Sequence, residues 1–130
     1  MQNLKLKPNS ETPHCFQHVL GHHSIIEFSD CNPEIINLAS SLEPIILKAV
    51  ELTKAQYISH SSKQFEPAGA SGVVLIAESH LSYHSWPEHC FLAVDIFTCS
   101  DKMETSEAID FIAESVMAQN TLTRVIERGY

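Results

Sequence analysis

The chain has few glycines, few basic residues and no long hydrophobic segment. Of its 130 residues, 4 are glycine and 8 are lysine or arginine, against 16 acidic residues, so the formal net charge is −8. This acidity argues against nucleic acid or an anionic membrane as the main partner. No apolar run reaches the roughly 18 residues of a transmembrane helix, and residues 1–13 lack the apolar core of a signal peptide. We therefore expect a cytoplasmic protein.

No pair of cysteines has CxxC spacing. The four cysteines are Cys15, Cys31, Cys90 and Cys99. Their spacing argues against a disulfide framework or a zinc ribbon as the basis of the fold. Hydrophobic residues make up 44% of the chain, which is enough to form the core of one domain of ordinary size. We expect residues 1–14 to form a flexible leader and residues 15–130 to form a single domain.

Periodic spacing of apolar residues predicts five strands and two long helices. The strands are predicted over residues 22–29, 56–66, 72–78, 90–98 and 122–126. The first long helix is expected to start at the capping-box spacing of Ser40 and Glu43 and to end near residue 54, and the second covers residues 109–117. Asn32 followed by Pro33 has the pattern of a further helix start.

The predicted order β-α-β-β-β-α-β indicates an α+β protein, a two-layer α/β sandwich. Its sheet is mainly antiparallel, and the helices cover one face of it. The opposite face would remain apolar enough to need a cover, which favours a dimer. We interpret the polar segment 79–88 as a loop between two apolar strands, and we expect a functional site at the strand ends.

Chemically reactive side chains are concentrated between residues 65 and 99. They include Ser71, Glu78, Ser79, His80, Ser82, His84, Ser85, Glu88, His89, Cys90 and Cys99. A zinc-like set of histidines with Cys90 is one interpretation, but Pro87 interrupts any shared helix and HExxH is absent, so no metal site is expected. Nucleophilic catalysis is another, although Gly-x-Ser-x-Gly is missing. On residue type alone, Cys99 is equally well an inert core residue.

The stretch GASGVVLIAESHLSYHSWPEHCFLAVDIFTCSD, residues 69–101, resembles the core motif of the prokaryotic S-adenosylmethionine decarboxylases. These are small, self-cleaving, pyruvoyl-dependent enzymes of spermidine synthesis. The matching segments AESHLS, WPE and DIFTC fall in register without a gap. Flanking segments GHHSIIEFSDC and KQFEP are similar to the family's opening and approach strands. Ser100 stands where the family usually has glycine.

The resemblance implies that the chain is a proenzyme that cuts itself between Glu78 and Ser79. The Ser79 hydroxyl would attack the Glu78 carbonyl, and the resulting ester would break into a β chain, residues 1–78, and an α chain, residues 79–130. Ser79 would become a covalent pyruvoyl group that forms a Schiff base with the substrate. By the same resemblance, Ser71 would stabilise the oxyoxazolidine intermediate, and His84 would transfer protons during processing.

The resemblance also implies a homodimer that binds S-adenosylmethionine. Cys99 would donate a proton in the decarboxylation, Phe65 and Trp86 would flank the nucleoside, and Glu88 would bind the ribose hydroxyls. Apart from the resemblance, Phe65 and Trp86 are equally typical of core packing, and Glu88 of a solvated rim. The expected products are decarboxylated S-adenosylmethionine and CO₂. Two alternatives are the same chemistry on ornithine or arginine, and a nucleoside-binding dimer that never matures.

Overall fold

The computed structural model of the protein describes residues 18–100 and 103–129. These residues form six β-strands and three α-helices, and a 3₁₀ turn, Pro87–His89, joins the fourth strand to the fifth. In chain order the elements are β1 (Gly21–Ser29), α1 (Pro33–Asn37), α2 (Ala39–Leu52), β2 (Tyr57–Gln64), β3 (Ala70–Ile76), β4 (Ser79–Trp86), β5 (Phe91–Thr98), α3 (Ser106–Ser115) and β6 (Asn120–Arg128). The expected leader, residues 1–14, lies outside the described residues.

The strands form one antiparallel sheet in the order β2-β3-β4-β5-β1-β6. Alternate residues of the central strands are buried, as in Ile26 and Phe28 of β1. These side chains belong to one hydrophobic core with Ile46 of α2 and Ile112 of α3. Because the core lies between the helices and one face of the sheet, the predicted α+β architecture is confirmed. None of the described helices is long and apolar enough to cross a membrane.

The segment predicted to be a loop, residues 79–88, is mostly a strand. Within β4, Leu81, Tyr83 and Ser85 are buried, and the residues between them are less so. The histidines and serines hid this alternation, because polar side chains can occupy the face of a sheet that helices do not cover. The predicted order β-α-β-β-β-α-β therefore becomes β-α-α-β-β-β-β-α-β.

The two helix starts differ in how well the sequence predicts them. At α1, the Asn32 side chain accepts a hydrogen bond from the Glu34 N–H at 2.9 Å and Pro33 occupies the first turn, as predicted. The prediction that Ser40 caps α2 is wrong, because α2 begins at Ala39. Its first N–H donates instead to the side chain of Gln64 at 2.7 Å. A cap supplied by a residue so distant in sequence leaves no local pattern.

We call the face of the sheet opposite the helices the open face. The register places on it His23, Ile25 and Glu27 of β1, Ser71, Val73 and Leu75 of β3, His80, Ser82, His84 and Trp86 of β4, and Phe91, Ala93, Asp95 and Phe97 of β5. Val73 is 43% exposed and Leu75 47%. The open face therefore combines exposed apolar side chains with most of the reactive side chains of the chain.

Candidate active site

A tight turn joins β3 to β4 at the predicted cleavage site. Ile76 pairs with Ser79 across the hairpin, so Ala77 and Glu78 form the turn between them. Ser79 has a backbone φ of 149°. Side-chain-bearing residues rarely adopt this conformation, and holding one there costs on the order of 1–3 kcal/mol. The backbone is therefore strained at Ser79, directly after the bond between Glu78 and Ser79.

The carbonyl of Glu78 is held by a residue from the end of β5. Its oxygen accepts a hydrogen bond from the main-chain N–H of Cys99 at 3.0 Å and another from the Cys99 thiol at 3.2 Å. The Glu78 carboxylate accepts from the Gln56 N–H at 3.1 and 3.3 Å, which fixes the turn from the other side. Donors aimed at a carbonyl oxygen polarise it and stabilise the negative charge that forms there when a nucleophile attacks.

Cys99 is exposed, so the interpretation of this residue as an inert part of the core is wrong. The buried cysteine of the described residues is Cys31, which is 3% exposed. Burial, with the nearby Cys90 as a smaller cause, raises the pKa of the Cys31 thiol to about 11. The raised pKa makes the Cys31 thiol unreactive at neutral pH, because the thiolate is the reactive form. We refer to Glu78, Ser79 and Cys99 as the cleavage end of the open face.

A second group lies at the other end of β4. The Ser71 hydroxyl and His84 Nδ1 are 2.7 Å apart on adjacent strands. The ring of His84 lies 4.2 Å from that of Trp86 and 5.7 Å from that of Phe65, centroid to centroid. Phe65 is 38% and Trp86 37% exposed, which does not fit the core-packing interpretation of either residue. We call these four residues the aromatic end.

The cleavage end and the aromatic end are far apart on one chain. His84 is five residues from Ser79 along β4, which corresponds to about 16 Å at the rise of a strand. An open groove of about 790 Å³ runs over the open face and is lined by Ser71, His84 and Trp86, among others. Glu88 is exposed in the 3₁₀ turn that follows Trp86. A single chain thus does not bring Ser71 and His84 to the Ser79 hydroxyl.

The histidines and Cys90 considered as a metal set do not form a group of three possible ligands among the described residues. A different set, His23, His80 and Asp95, has one ligand atom from each residue within 4.8 Å of the others. The separation of 2.6 Å between His23 Nε2 and Asp95 Oδ2 is that of a hydrogen bond. Two ligands of one tetrahedral zinc ion would lie about 3.3 Å apart, so the arrangement fits a polar network better than a metal centre.

Sequence reasoning missed His23 and Asp95 as members of the site. The two residues are 72 positions apart and meet because β1 and β5 are neighbours in the sheet. The available signal was Asp95 itself, a single charge inside the otherwise apolar segment CFLAVDIFT. A charged residue in such a strand needs a polar partner on the same face of the sheet.

Comparison with known proteins identifies relatives across most of the chain. The sequence model of the family described as S-adenosylmethionine decarboxylase matches residues 22–129. S-adenosylmethionine decarboxylase proenzyme from Pyrococcus abyssi is 38% identical over 110 residues, which cover 85% of this chain and 79% of the relative. The proenzyme from Thermodesulfovibrio yellowstonii is 44% identical over 98 residues, which cover 75% and 73%.

The fold has a counterpart among solved structures. The crystal structure of the adenosylmethionine decarboxylase from Aquifex aeolicus matches with a TM-score of 0.79 and 34% sequence identity. The match covers 86% of this chain and 92% of that one. Sequence and fold therefore point to the same family.

Proposed function

The chain belongs to the S-adenosylmethionine decarboxylase family, and from this premise we propose that it cuts its own backbone between Glu78 and Ser79. It is an adenosylmethionine decarboxylase made as a proenzyme, a carboxy-lyase whose pyruvoyl group forms by self-cleavage. The family implies a role in polyamine biosynthesis. The expectations of family, activity and cofactor drawn from the AESHLS, WPE and DIFTC segments are thereby confirmed. The cleavage site and the roles of individual residues belong to the proposal.

The proposal depends most on the environment of the Glu78–Ser79 bond. An amide is a poor electrophile, so self-cleavage requires a polarised carbonyl and a distorted backbone. The two hydrogen bonds from Cys99 to the Glu78 oxygen supply the first, and the φ of 149° at Ser79 supplies the second. Both features occur at the one peptide bond whose cleavage would place Ser79 at a new chain end. The residues present therefore fit the formation of a pyruvoyl group at position 79.

Cleavage at this bond would leave the sheet intact. The cut falls in the turn, and β3 and β4 remain paired from Ser71 with His84 to Leu75 with His80. After the cut β3 belongs to the β chain, residues 1–78, and β4 belongs to the α chain, residues 79–130. The hydrophobic core also draws on both fragments, because Phe28 precedes the cut and Ile112 follows it. The two chains are thus expected to stay together without a covalent link.

In the mature enzyme, the pyruvoyl group would accept the electrons released as CO₂ leaves the substrate. Cys99 is the proposed proton donor. Before cleavage its thiol donates to the Glu78 carbonyl, and afterwards Glu78 is a free chain end. The thiol can then turn to the substrate carbon next to position 79. A positioned side-chain acid of this kind typically contributes 10²–10⁴-fold to a rate.

We further propose that the active site is completed by a second copy of the chain. The separation of about 16 Å along β4 prevents Ser71 and His84 from acting on Ser79 of the same chain. Two open faces packed against each other in opposite directions would bring the aromatic end of one chain to the cleavage end of the other. The exposed side chains of Val73 and Leu75 would be buried by the same contact.

In this dimer the aromatic end of one chain forms the substrate pocket of the other. Phe65 and Trp86 present exposed aromatic surface suited to an adenine ring and a sulfonium cation. Glu88, in the turn directly after Trp86, is the proposed acceptor of the ribose hydroxyls. His84 would transfer protons during processing. Ser71, hydrogen-bonded to His84, would stabilise the oxyanion of the oxyoxazolidine intermediate.

The substrate is tested by release of CO₂ from carboxyl-labelled amino acids. S-adenosylmethionine, arginine and ornithine are offered separately to the purified enzyme, with the Ser79→Ala variant as the matched control. We expect labelled CO₂ from S-adenosylmethionine alone, because only this substrate offers an adenine and a sulfonium to the aromatic end. Preferential release from arginine or ornithine would favour the first alternative, and the absence of release from all three would favour the non-processing module.

A further inference from the structure

A network of four polar side chains lies on the open face directly beside Ser79. It consists of His80, Asp95, His23 and Ser82, and we call it the His–Asp network. We propose that His80 is the base that takes the proton from the Ser79 hydroxyl in the first step of self-cleavage, and that Asp95, fixed by His23 and Ser82, positions it. The inference rests on the proposed function, because it concerns the same peptide bond.

The distances form a connected path that starts at the nucleophile. The Ser79 hydroxyl is 3.3 Å from His80 Nδ1, and the other ring nitrogen of His80 is 3.6 Å from Asp95 Oδ2. The same carboxylate oxygen is 2.6 Å from His23 Nε2. The second oxygen of Asp95 accepts a hydrogen bond from the Ser82 hydroxyl. Hydroxyl, imidazole and carboxylate thus stand in the sequence typical of an activated serine.

Strand register explains why these side chains meet. His23 and His80 both pair with Phe97, one on each side of β5, and their rings lie 5.4 and 5.7 Å from the Phe97 ring. Asp95 precedes Phe97 by two residues on the same face and pairs with Ser82. The carboxylate is therefore diagonal to both histidines and within reach of each. The side chains of His23, His80 and Asp95 are partly buried, which limits the screening of their electrostatic interactions by water.

The chemistry of the first step balances within this network. His80 Nδ1 takes the proton from the Ser79 oxygen while that oxygen forms a bond to the Glu78 carbonyl carbon. The imidazolium is stabilised by the negative charge of Asp95 at its other nitrogen. When the C–N bond breaks, the same proton passes to the nitrogen of Ser79. The amide becomes an ester with no net gain or loss of protons, and no further reactant is needed.

His80 and His84 would then serve different steps. His80 belongs to the same chain as the bond that it helps to break, whereas His84 reaches that bond only from a second copy. Formation of the ester would depend on the His–Asp network, and later proton transfers on the aromatic end of the partner. The two histidines of the segment SHLSYHSW can thus be separated by experiment.

The test follows cleavage of freshly synthesised proenzyme over time. In His80→Ala we expect the rate to fall by roughly 10²–10⁴-fold, the usual contribution of a positioned base. Added imidazole should restore part of the rate, because it can fill the space that the side chain leaves. The uncut chain should also resist hydroxylamine, which cleaves esters but not amides. His80→Asn, which keeps a polar atom near Ser79 but has no basic nitrogen, is a second variant in case His80→Ala does not fold.

Positioning by Asp95 and His23 is tested by conservative rescue. His23→Ala should slow cleavage, and His23→Gln should restore it, because its amide N–H can still donate to Asp95. Asp95→Asn should be slow although its shape is kept. His22→Gln is the matched control, because His22 is next to His23 in β1 but lies on the opposite face of the sheet. This variant is expected to cleave at the wild-type rate.

The outcomes separate this inference from the proposed function. A wild-type rate in folded His80→Ala or His80→Asn protein, or an ester that still accumulates in them, would overturn the role of His80. Equal rates for His23→Ala and His23→Gln would overturn the positioning role. A wild-type chain that never cleaves would instead contradict the proposed function. Circular dichroism of each uncut variant identifies any loss of fold.

Discussion

Cys99 directs two donors at one oxygen atom, the carbonyl oxygen of Glu78, with its main-chain N–H at 3.0 Å and its thiol at 3.2 Å. One residue can therefore assist both the cutting of the chain and the later turnover of substrate. Polarisation of the carbonyl uses both donors, whereas the proposed proton transfer during turnover uses the thiol alone. A substitution at position 99 removes the thiol and keeps the main-chain N–H.

Substitution of Cys99 should separate these roles. Cys99→Ala removes one of two donors, so processing should slow by about tenfold, the value of a single hydrogen bond. Turnover of the processed variant should fall by about 10²-fold or more, because its acid is lost. Cys99→Ser keeps an O–H donor and should process almost normally while remaining poor in turnover. Gel analysis measures the rate of processing, and CO₂ release measures the rate of turnover. Processing that stops in both variants would contradict this division of roles.

The strain at Ser79 predicts an unusual effect of glycine. Ser79→Gly and Ser79→Ala both lack the nucleophile and stay uncut, so their stabilities can be compared. Glycine normally weakens a strand, but relief of a φ of 149° should make Ser79→Gly the more stable variant by about 1 kcal/mol. Urea unfolding of both variants measures the difference. A more stable alanine variant would mean that the backbone at this position is not strained.

An active site built from two copies of the chain, as proposed, predicts complementation between two inactive variants. Ser79→Ala lacks the nucleophile and His84→Ala lacks a residue of the aromatic end. Co-expressed, they should form mixed dimers in which the intact Ser79 of one chain faces the intact His84 of the other. Each mixed dimer has one site with both residues and one with neither, so about half of the His84→Ala chains should cleave when equal amounts of the two chains pair at random. We expect His84→Ala chains to be cleaved when co-expressed with Ser79→Ala and to stay uncut when expressed alone. Different tags on the two variants allow mass spectrometry to identify which chain was cut.

The proposed packing of two open faces can be tested with one charged substitution. Leu75 is 47% exposed on the open face, and Leu38 is 45% exposed between α1 and α2. Leu75→Glu should convert the proposed dimer into monomers, because this dimer would bury two carboxylates without partners. Leu38→Glu is the matched control and should remain dimeric. Sedimentation velocity distinguishes the 14.5 kDa monomer from the dimer, and a dimeric Leu75→Glu variant would place the interface elsewhere.

The buried thiol of Cys31 predicts a loss of stability at high pH. Its pKa is raised from 9.0 to about 11 in the folded chain, so the folded state retains a proton that the unfolded state releases. This contribution to stability is complete below pH 9 and is lost as the pH rises towards 11, with a slope of up to about 1.4 kcal/mol per pH unit. In an uncut Ser79→Ala background, Cys31→Ala should flatten this slope. An unchanged slope in urea unfolding would contradict the assignment.

The sequence was most informative where chemistry and local structure coincide. The segments AESHLS and DIFTC identify Glu78, Ser79 and Cys99, and the structure brings these three residues together. Asn32 and Pro33 predict the start of α1 because a cap and its helix are adjacent in the chain. Predictions of this type depend on short-range interactions, which a sequence displays directly.

The rest of the site depends on the register of the sheet. His23 and Asp95 are paired by the alignment of β1 with β5, which no local pattern encodes. The polar residues of β4 hide its strand pattern in the sequence, because they lie on the face of the sheet that the helices do not cover. The separation of Ser71 and His84 from Ser79 is equally a consequence of strand geometry. Ser79 begins β4, whereas His84 and its β3 partner Ser71 lie towards the other end of the β3–β4 hairpin.

Intact mass of the purified wild-type protein tests the central claim most directly. Self-cleavage between Glu78 and Ser79 predicts two polypeptides that correspond to residues 1–78 and 79–130, the second without a free amino terminus and reactive towards carbonyl reagents. The Ser79→Ala variant should give a single chain under the same conditions. A wild-type preparation that remains one chain of 14.5 kDa and does not react with carbonyl reagents would contradict the account.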